Sequence, residues 1–260
     1  MHPISIVIPT LNEEKYLPAL LESLAMQKEC EMDVIIVDGR SDDQTQAVAE
    51  HFIKNSTNPY LKARMLLANK RNISFQRNMG GYAAAHPLIF FVDADCAFPN
   101  GHSLVEIIEA FKKQKLDAAA GRVRSLEHYW LTNFYFYLFY LFIRIMQWFK
   151  PFAAGGFIMA KKNIFETLHG FDETIPLNED GDFCRRAKLI GRFRILKKWI
   201  YASGRRFEKQ GYLKSGIMYL RIGAHRILKG EIHNPGQFDY QFGKFGESKK
   251  QENKSQSSGC

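Results

Sequence analysis

Only four cysteines occur in 260 residues, and no two of them form a C-x-x-C pair. That scatter (Cys30, Cys96, Cys184, Cys260) argues against a disulfide framework or zinc site and suits a reducing cytosolic setting. No G-x-G-x-x-G follows the first apolar segment, so dinucleotide binding is unsupported. Long uncharged apolar runs are also missing. The nearest is 130–148, barely of spanning length and interrupted by Asn133 and Arg144. The N-terminus shows no basic stretch followed by an apolar core and cleavage site, so no signal peptide is expected. No internal repeat is evident. Acidic residues are outnumbered, 27 against 36 Lys and Arg, for a formal net charge of +9. Such a balance favours nucleotides, nucleic acid or an acidic membrane surface. No recognisable nucleic-acid module carries the charge, so nucleic acid is not expected as a partner.

What is present begins with core-forming residues. The chain is 46% hydrophobic, enough for one large domain or two fused lobes. Apolar, β-branched runs at 4–8 and 34–37 read as buried strands, and 63–67 as a short one. Helical spacing covers 16–26, 45–53 and 76–85. Strands alternating with helices, each strand ending in a polar turn, argue for a mainly parallel sheet of Rossmann type. The second half is less regular. Helices are expected at 103–113, 182–190 and 221–228, and strands at 118–123, 155–160 and 195–201. From residue 231 the chain turns polar and is read as a disordered tail.

One segment carries most of the chemistry. Residues 87–92 are apolar, and Asp93 and Asp95 follow in V-D-A-D-C. A buried strand cannot hold two unpaired carboxylates at its centre, so they belong at its C-terminal end, where open α/β sheets bind ligands. Hard oxygen donors there suit Mn²⁺ or Mg²⁺ and the phosphates such an ion neutralises. D-x-D alone is weak, but it has company. The chain reads I-V-I-P-T-L-N-E-E at its start, V-D-G-R-S-D-D-Q-T after the second strand and Q-R-N-M-G-G before the third. G-F-D-E and N-E-D-G-D follow V-D-A-D-C.

These motifs, in this order, resemble the family 2 glycosyltransferases over roughly the first four-fifths of the chain. The resemblance implies a GT-A fold spanning 1–230, with a nucleotide-sugar half (1–97) and an acceptor half (98–230). It implies a nucleoside-diphosphate sugar donor, UDP-linked by preference with GDP open. It places Pro9, Thr10 and Glu13 along the nucleoside pocket, Asp38 on uracil or ribose, and Arg77 on the nucleotide. Asp93 and Asp95 would hold the metal and diphosphate. Asp180 is the expected general base and Glu179 its alternate or orienting partner. One base without a covalent nucleophile implies inversion by single displacement. Arg205 and Arg206 could swing onto the diphosphate as a lid. The processive members' Q-x-x-R-W is missing, which disfavours a polymerase.

Plainer readings stand beside several of these. Thr10 or Asn12 could cap the following helix, as could Ser41, Asp43 and Thr45. Arg71 reads as solvated surface, Asp182 as charge complementing a helix dipole. Gly80 and Gly81 suit close helix–sheet packing. Gly155 and Gly156 read equally as backbone open to ligand or as tight packing. The aromatic stretch from Trp130 to Trp148 suits a membrane-surface helix near a lipid-linked or glycan acceptor, a core helix, or a homo-oligomer contact. With the basic residues that follow it, peripheral association on the cytoplasmic membrane face is preferred. The alternative to an enzyme is a catalytically silent nucleotide-binding or membrane scaffold on the same fold.

Overall fold

The computed structural model describes residues 1–153, 155–230 and 232. One eight-stranded sheet, flanked by helices, runs through both halves of the sequence, in the order β3-β2-β1-β4-β7-β6-β8-β5. Strands β1 (His2–Thr10), β2 (Cys30–Asp38), β3 (Leu61–Leu67) and β4 (Leu88–Phe91) pair in parallel. The apolar runs of β1, β2 and β4 are covered on both faces, as inner parallel strands require, with Ile4, Ile6, Val7 and Ile8 fully buried, whereas the edge strand β3 is half-exposed. The strand register sets Thr10 opposite Asp38 at the sheet's C-terminal edge.

Helices α1 (Leu17–Ala25), α2 (Thr45–Asn55) and α3 (Ile73–Ala83) connect these strands. Asn72 caps α3 by accepting from Phe75 N at 2.9 Å. Gly80 and Gly81 do permit close packing. A Cβ on Gly80 would lie 2.4 Å from Val7 Cγ1, and one on Gly81 2.4 Å from Phe165 Cζ.

The second half adds β5 (Cys96–Ala97), α4 (Ser103–Lys113), β6 (Ala118–Ser125), α5 (Trp130–Met146), β7 (Ile158–Lys161) and α6 (Lys162–Thr167). It continues through α7 (Glu179–Ile190), β8 (Phe193–Ala202), α8 (Arg205–Gln210) and α9 (Tyr212–Lys229). β7 is antiparallel to both β4 and β6, so β4 and β6 point the same way and end at the same edge. β8 runs parallel to β6. Two buried clusters cover the sheet's two faces: α1, α2 and α4 on one, α3, α5, α6 and α7 on the other.

The structure moves several expected boundaries. β1 continues through Pro9 to Thr10, where a turn was expected. Gly155 and Gly156 form a turn ahead of β7 instead of its first residues. α7 starts at Glu179, three residues early, so its first turn holds Glu179, Asp180 and Asp182. β5 and α8 have no counterpart among the expected elements. The tail read as disordered falls outside the described residues, except Ile232, which bridges to Leu177.

α5 is half in the core. Thr132 and Ile143 are buried, and Phe139, Tyr140, Phe142 and Met146 pack on the sheet-face cluster. Its outer stripe exposes Trp130, Phe134, Leu138, Leu141 and Ile145 at three- and four-residue spacing. α9 lies alongside: Tyr135 faces Gly216 and Phe142 faces Gly223, the same offset in the same direction, so the two helices are parallel. α9 exposes Leu213, Ile217 and Leu228. Among the described residues no helix is long and apolar enough to cross a membrane.

Candidate active site

The consecutive side chains Gln76, Arg77 and Asn78 of α3 explain why the Q-R-N segment matters. Gln76 Nε2 donates to Thr10 O (2.7 Å) and Val37 O (2.8 Å), tying together the ends of β1 and β2. Asn78 Nδ2 donates to Phe171 O at 2.9 Å, and its Oδ1 accepts from Phe171 N at 2.7 Å, which fixes the G-F-D-E loop. Between them Arg77, 1% exposed, donates to Asp93 Oδ1 at 2.8 Å and Glu179 Oε1 at 2.6 Å. The Phe171 ring lies 5.3 Å from its guanidinium carbon. Burial pulls Arg77 down, but Asp93, Glu179 and Asp180 outweigh it and hold it above its ordinary range. The residue expected on the nucleotide thus joins the two acidic loops.

Gly155 marks where those loops meet. A Cβ there would lie 3.0 Å from Arg77 Nη2, 3.2 Å from Asp93 Oδ2 and 3.4 Å from Asp180 Oδ2. Only a residue without a side chain leaves that space open. Gly156 is packed as closely, its Cβ position 2.6 Å from Cys96 Sγ. The packing reading holds for Gly156, while Gly155 lies between Arg77, Asp93 and Asp180. Asp180 Oδ1 accepts from Gly181 N at 2.7 Å.

A second cluster closes the other flank. Arg205, at the start of α8, donates from Nη1 and Nη2 to both oxygens of Glu13, at 2.7 Å each. It reaches Asp95 Oδ2 at 3.2 Å and lies over the Tyr16 ring at 4.5 Å. Burial, aided by Asp95 and Asp93, pushes the Glu13 carboxyl up to about 7 against the pull of Arg205. Burial pulls Arg205 down, but Asp95 and Glu13 prevail and hold it above its ordinary range. Glu127, which no motif marks, holds the approach to α8: it accepts from Ser203 Oγ (2.7 Å), Gly204 N (2.9 Å) and Ser125 Oγ (3.0 Å). The side chain of Arg206 lies outside the described ones.

Asp38, at the C-terminal end of β2, is fully buried. It accepts from Thr10 Oγ1 (3.0 Å), Ser41 N (2.9 Å), Ser41 Oγ (2.6 Å) and Gln46 Nε2 (2.8 Å). Pro9 pairs in register with Val37 beside it. The side chains expected as helix caps also tie the first two loops together. Ser41 Oγ accepts from Asn12 N, Thr45 Oγ1 from Glu13 N, and Asp43 Oδ2 from Glu14 N. Asn12 Oδ1 accepts from Asp42 N. The N-cap residues Tyr16 and Gln44 make no side-chain cap, but Asp43 Oδ1 accepts from Thr45 N, the first residue of α2, at 2.9 Å. Asp182 does more than face a helix dipole, because it pairs with Arg185 at 2.6 Å and Arg186 at 2.7 Å. Arg71 is exposed and pairs with Asp42.

Among the described residues no group of three or more His, Cys, Asp or Glu could cage a metal ion. Asp93 and Asp95 remain as two hard-oxygen donors at the mouth, 31% and 20% exposed. Mg²⁺-type sites take just such a pair and complete their shell with phosphate oxygens and water, so the donor set fits a cation arriving with a diphosphate.

The family model "Glycosyl transferase family 2" matches residues 5–168, more than half of the chain. The poly(ribitol-phosphate) β-N-acetylglucosaminyltransferase TarS of Staphylococcus aureus is 37% identical over 97 residues, 36% of this chain and 16% of that enzyme. The structure of S. aureus TarS 1–349 with UDP-GlcNAc superposes with a TM-score of 0.61 at 22% identity, covering 78% of this chain and 58% of that one. The mannosyltransferase PcManGT of Pyrobaculum calidifontis, solved with GDP-Man and Mn²⁺, gives a TM-score of 0.64 at 18% identity, covering 77% and 56%. The chain thus spans well under two thirds of these relatives. Glu179, Asp180 and Arg205 lie beyond the residues that the family model matches.

Proposed function

Because the chain belongs to glycosyl transferase family 2 and has the GT-A fold, we propose that it transfers a sugar, with inversion, from a UDP-linked donor to an acceptor hydroxyl. One observation carries the reading: Asp93, at the donor edge, and Asp180, on α7, converge on the space kept open by Gly155. A donor held over Asp93 and Asp95 would present its anomeric carbon to an acceptor approached from Asp180. Asp180 accepts the acceptor's proton as the hydroxyl attacks. Arg77 holds Glu179 and Asp93 in place, so that Asp180 keeps its distance from the donor edge. Arg205 clasps Glu13 and Asp95 and would turn to the leaving diphosphate, with Arg206 beside it in sequence. Mn²⁺ or Mg²⁺ on Asp93 and Asp95 would supply charge neutralisation for that leaving group. UDP-GlcNAc and GDP-Man in the solved relatives support a nucleotide-sugar donor.

The acceptor is lipid-linked or a glycan, met at a membrane surface. The exposed stripes of α5 and α9 support this. Neither helix contains an Asp or Glu, whereas the exposed Lys214 and Arg221 of α9 add positive charge suited to an anionic leaflet. The test is calorimetric titration with UDP- and GDP-sugars in the presence of Mn²⁺, followed by turnover assays. Binding of one donor that Asp95→Asn abolishes, with Asp180→Asn binding the donor but not turning it over, is expected. Wild-type turnover in a folded Asp180→Asn would remove the base assignment. Failure of folded wild-type protein to bind any donor would favour the scaffold reading.

A further inference from the structure

Two arginines on β6 stand without a counter-charge. Arg122 and Arg124 are two residues apart and so share one face of the strand. β8 sets Trp199 opposite Arg122 and Tyr201 opposite Arg124. Among the described residues neither guanidinium makes an ion pair or hydrogen bond. Arg77 and Arg205, by contrast, each hold two carboxylates. Aromatic rings wall the pair instead. Arg122 lies 5.1 and 5.3 Å from the ring centres of Tyr137 and Tyr140, and Arg124 lies 3.9 Å from that of Trp199. Two buried donors in this spot, Arg122 Nε and Trp199 Nε1, have no acceptor. A buried donor without a partner is rare enough in folded proteins to call for an explanation, and an absent anion is one. Burial first, then the neighbouring Arg124, push Arg122 below its ordinary range, which marks a place that favours an incoming negative charge.

The place is as telling as the chemistry. β6 ends at the same edge as β4, the strand that leads into Asp93. Gly121 N donates to Phe157 O at 3.3 Å, so the arginines begin level with the Gly155–Gly156 turn. Arg122 and Arg124 continue the alternation of Ala118 and Ala120, which face the cluster containing Phe183 of α7 and Tyr140 of α5. Asp180 opens α7 on that same side of the sheet. Asp93 and Asp95 lie on the donor flank, so a charge bound by the arginine pair arrives with the acceptor.

We propose that Arg122, Arg124 and the Trp199 indole N–H form a phosphate-binding subsite that recognises a phosphate ester on the acceptor. The inference rests on the reading of Asp180 as base and gives the acceptor a class: a phosphorylated lipid or glycan, read through its phosphate by forked arginine donors. A phosphate there would fill the two empty donors and neutralise the arginine pair, while the rings exclude competing water.

The test uses the full chain loaded with UDP and Mg²⁺ and titrated with glycerol phosphate by calorimetry. Glycerol phosphate is expected to bind without displacing UDP. Arg122→Gln and Arg124→Gln should each weaken it about tenfold or more, as loss of a charge-assisted hydrogen bond does. UDP affinity should stay within about twofold in both, and Arg124→Lys should keep part of the phosphate affinity. No binding to folded wild type would overturn the proposal, as would unchanged binding in both Gln variants. Displacement of UDP, with variants weakening UDP in parallel, would also overturn it and assign the pair to the donor. Should UDP itself fail to bind, the donor reading falls, and the same titration without UDP still decides the subsite.

Discussion

Replacing Arg77 by Met separates a structural keystone from a ligand-binding residue. The guanidinium is 1% exposed and spans Glu179, 10% exposed, and Asp93, 31% exposed. The Asp93 contact is screened by solvent and counts for little alone. The Glu179 contact is dry, and removing one partner of such a pair costs about 3–5 kcal/mol. Total stabilities are about 5–15 kcal/mol, so the loss is large but survivable. With a urea m-value of about 3 kcal/mol/M, the unfolding midpoint should fall by about 1–1.7 M. Arg77→Lys keeps the charge but not the fork, and should lose about 1–3 kcal/mol. The assay is urea unfolding followed by circular dichroism, with UDP binding measured in parallel. A Met variant whose midpoint moves by less than about 0.3 M while UDP binding disappears would refute the reasoning and return Arg77 to the nucleotide.

Gly80→Ala should cost about 1–3 kcal/mol, because its Cβ would meet Val7 at 2.4 Å; an unshifted midpoint would contradict the packing. Gly155→Ala should leave stability nearly unchanged yet lower kcat at least tenfold, since its methyl would occupy the space between Asp93 and Asp180; full turnover would show that no reacting group passes there. Glu13 carries a pH signature. Burial lifts its folded pKa to about 7, well above the ordinary glutamate range, so the folded state holds the proton more tightly and stability falls as pH rises from that range through about 7. Glu13→Gln should abolish this fall, worth about 3 kcal/mol; identical midpoint-versus-pH curves in EDTA would refute it. Replacing Phe134, Leu141 and Ile145 together by Ser should weaken co-sedimentation with phosphatidylglycerol vesicles at least tenfold, with the unfolding midpoint little changed, and undiminished sedimentation would rule out the α5 stripe as the contact.

The first half of the fold was legible because parallel strands covered on both faces leave unbroken apolar runs, and 4–8 and 34–37 are such runs. The acidic residues were legible through their order along the chain. What stayed hidden depends on long-range packing. β5 is two residues long and exists only because β8 pairs with it. α8 has no apolar period to reveal it. Gly155 and Gly156 read as strand because an apolar run follows them, whereas the carboxylates on either side require a turn there. Ser41, Asp43 and Thr45 carry the side chains of helix caps, and nothing local shows that the facing loop after β1 also donates to them. The place of Arg77 between Asp93 and Glu179 stayed hidden because a single sequence shows a charge but not the two carboxylates that surround it.

The contact between Arg205 and Glu13 joins positions 192 residues apart. A chain leaving the ribosome therefore makes Glu13 long before its partner. Until α8 emerges, the first loop carries a carboxylate with no cation to hold it, and Asp95 waits beside it. Closing so large a loop is slow, and β8 with its partner strand β5 must form first to bring Arg205 round. The cluster of Arg205, Glu13 and Asp95 is thus among the last parts of the molecule to be completed, although both its carboxylates come from the first hundred residues. A truncation before residue 205 should leave a sheet that folds around an unclasped pocket, detectable as faster proteolysis of the loop after β1.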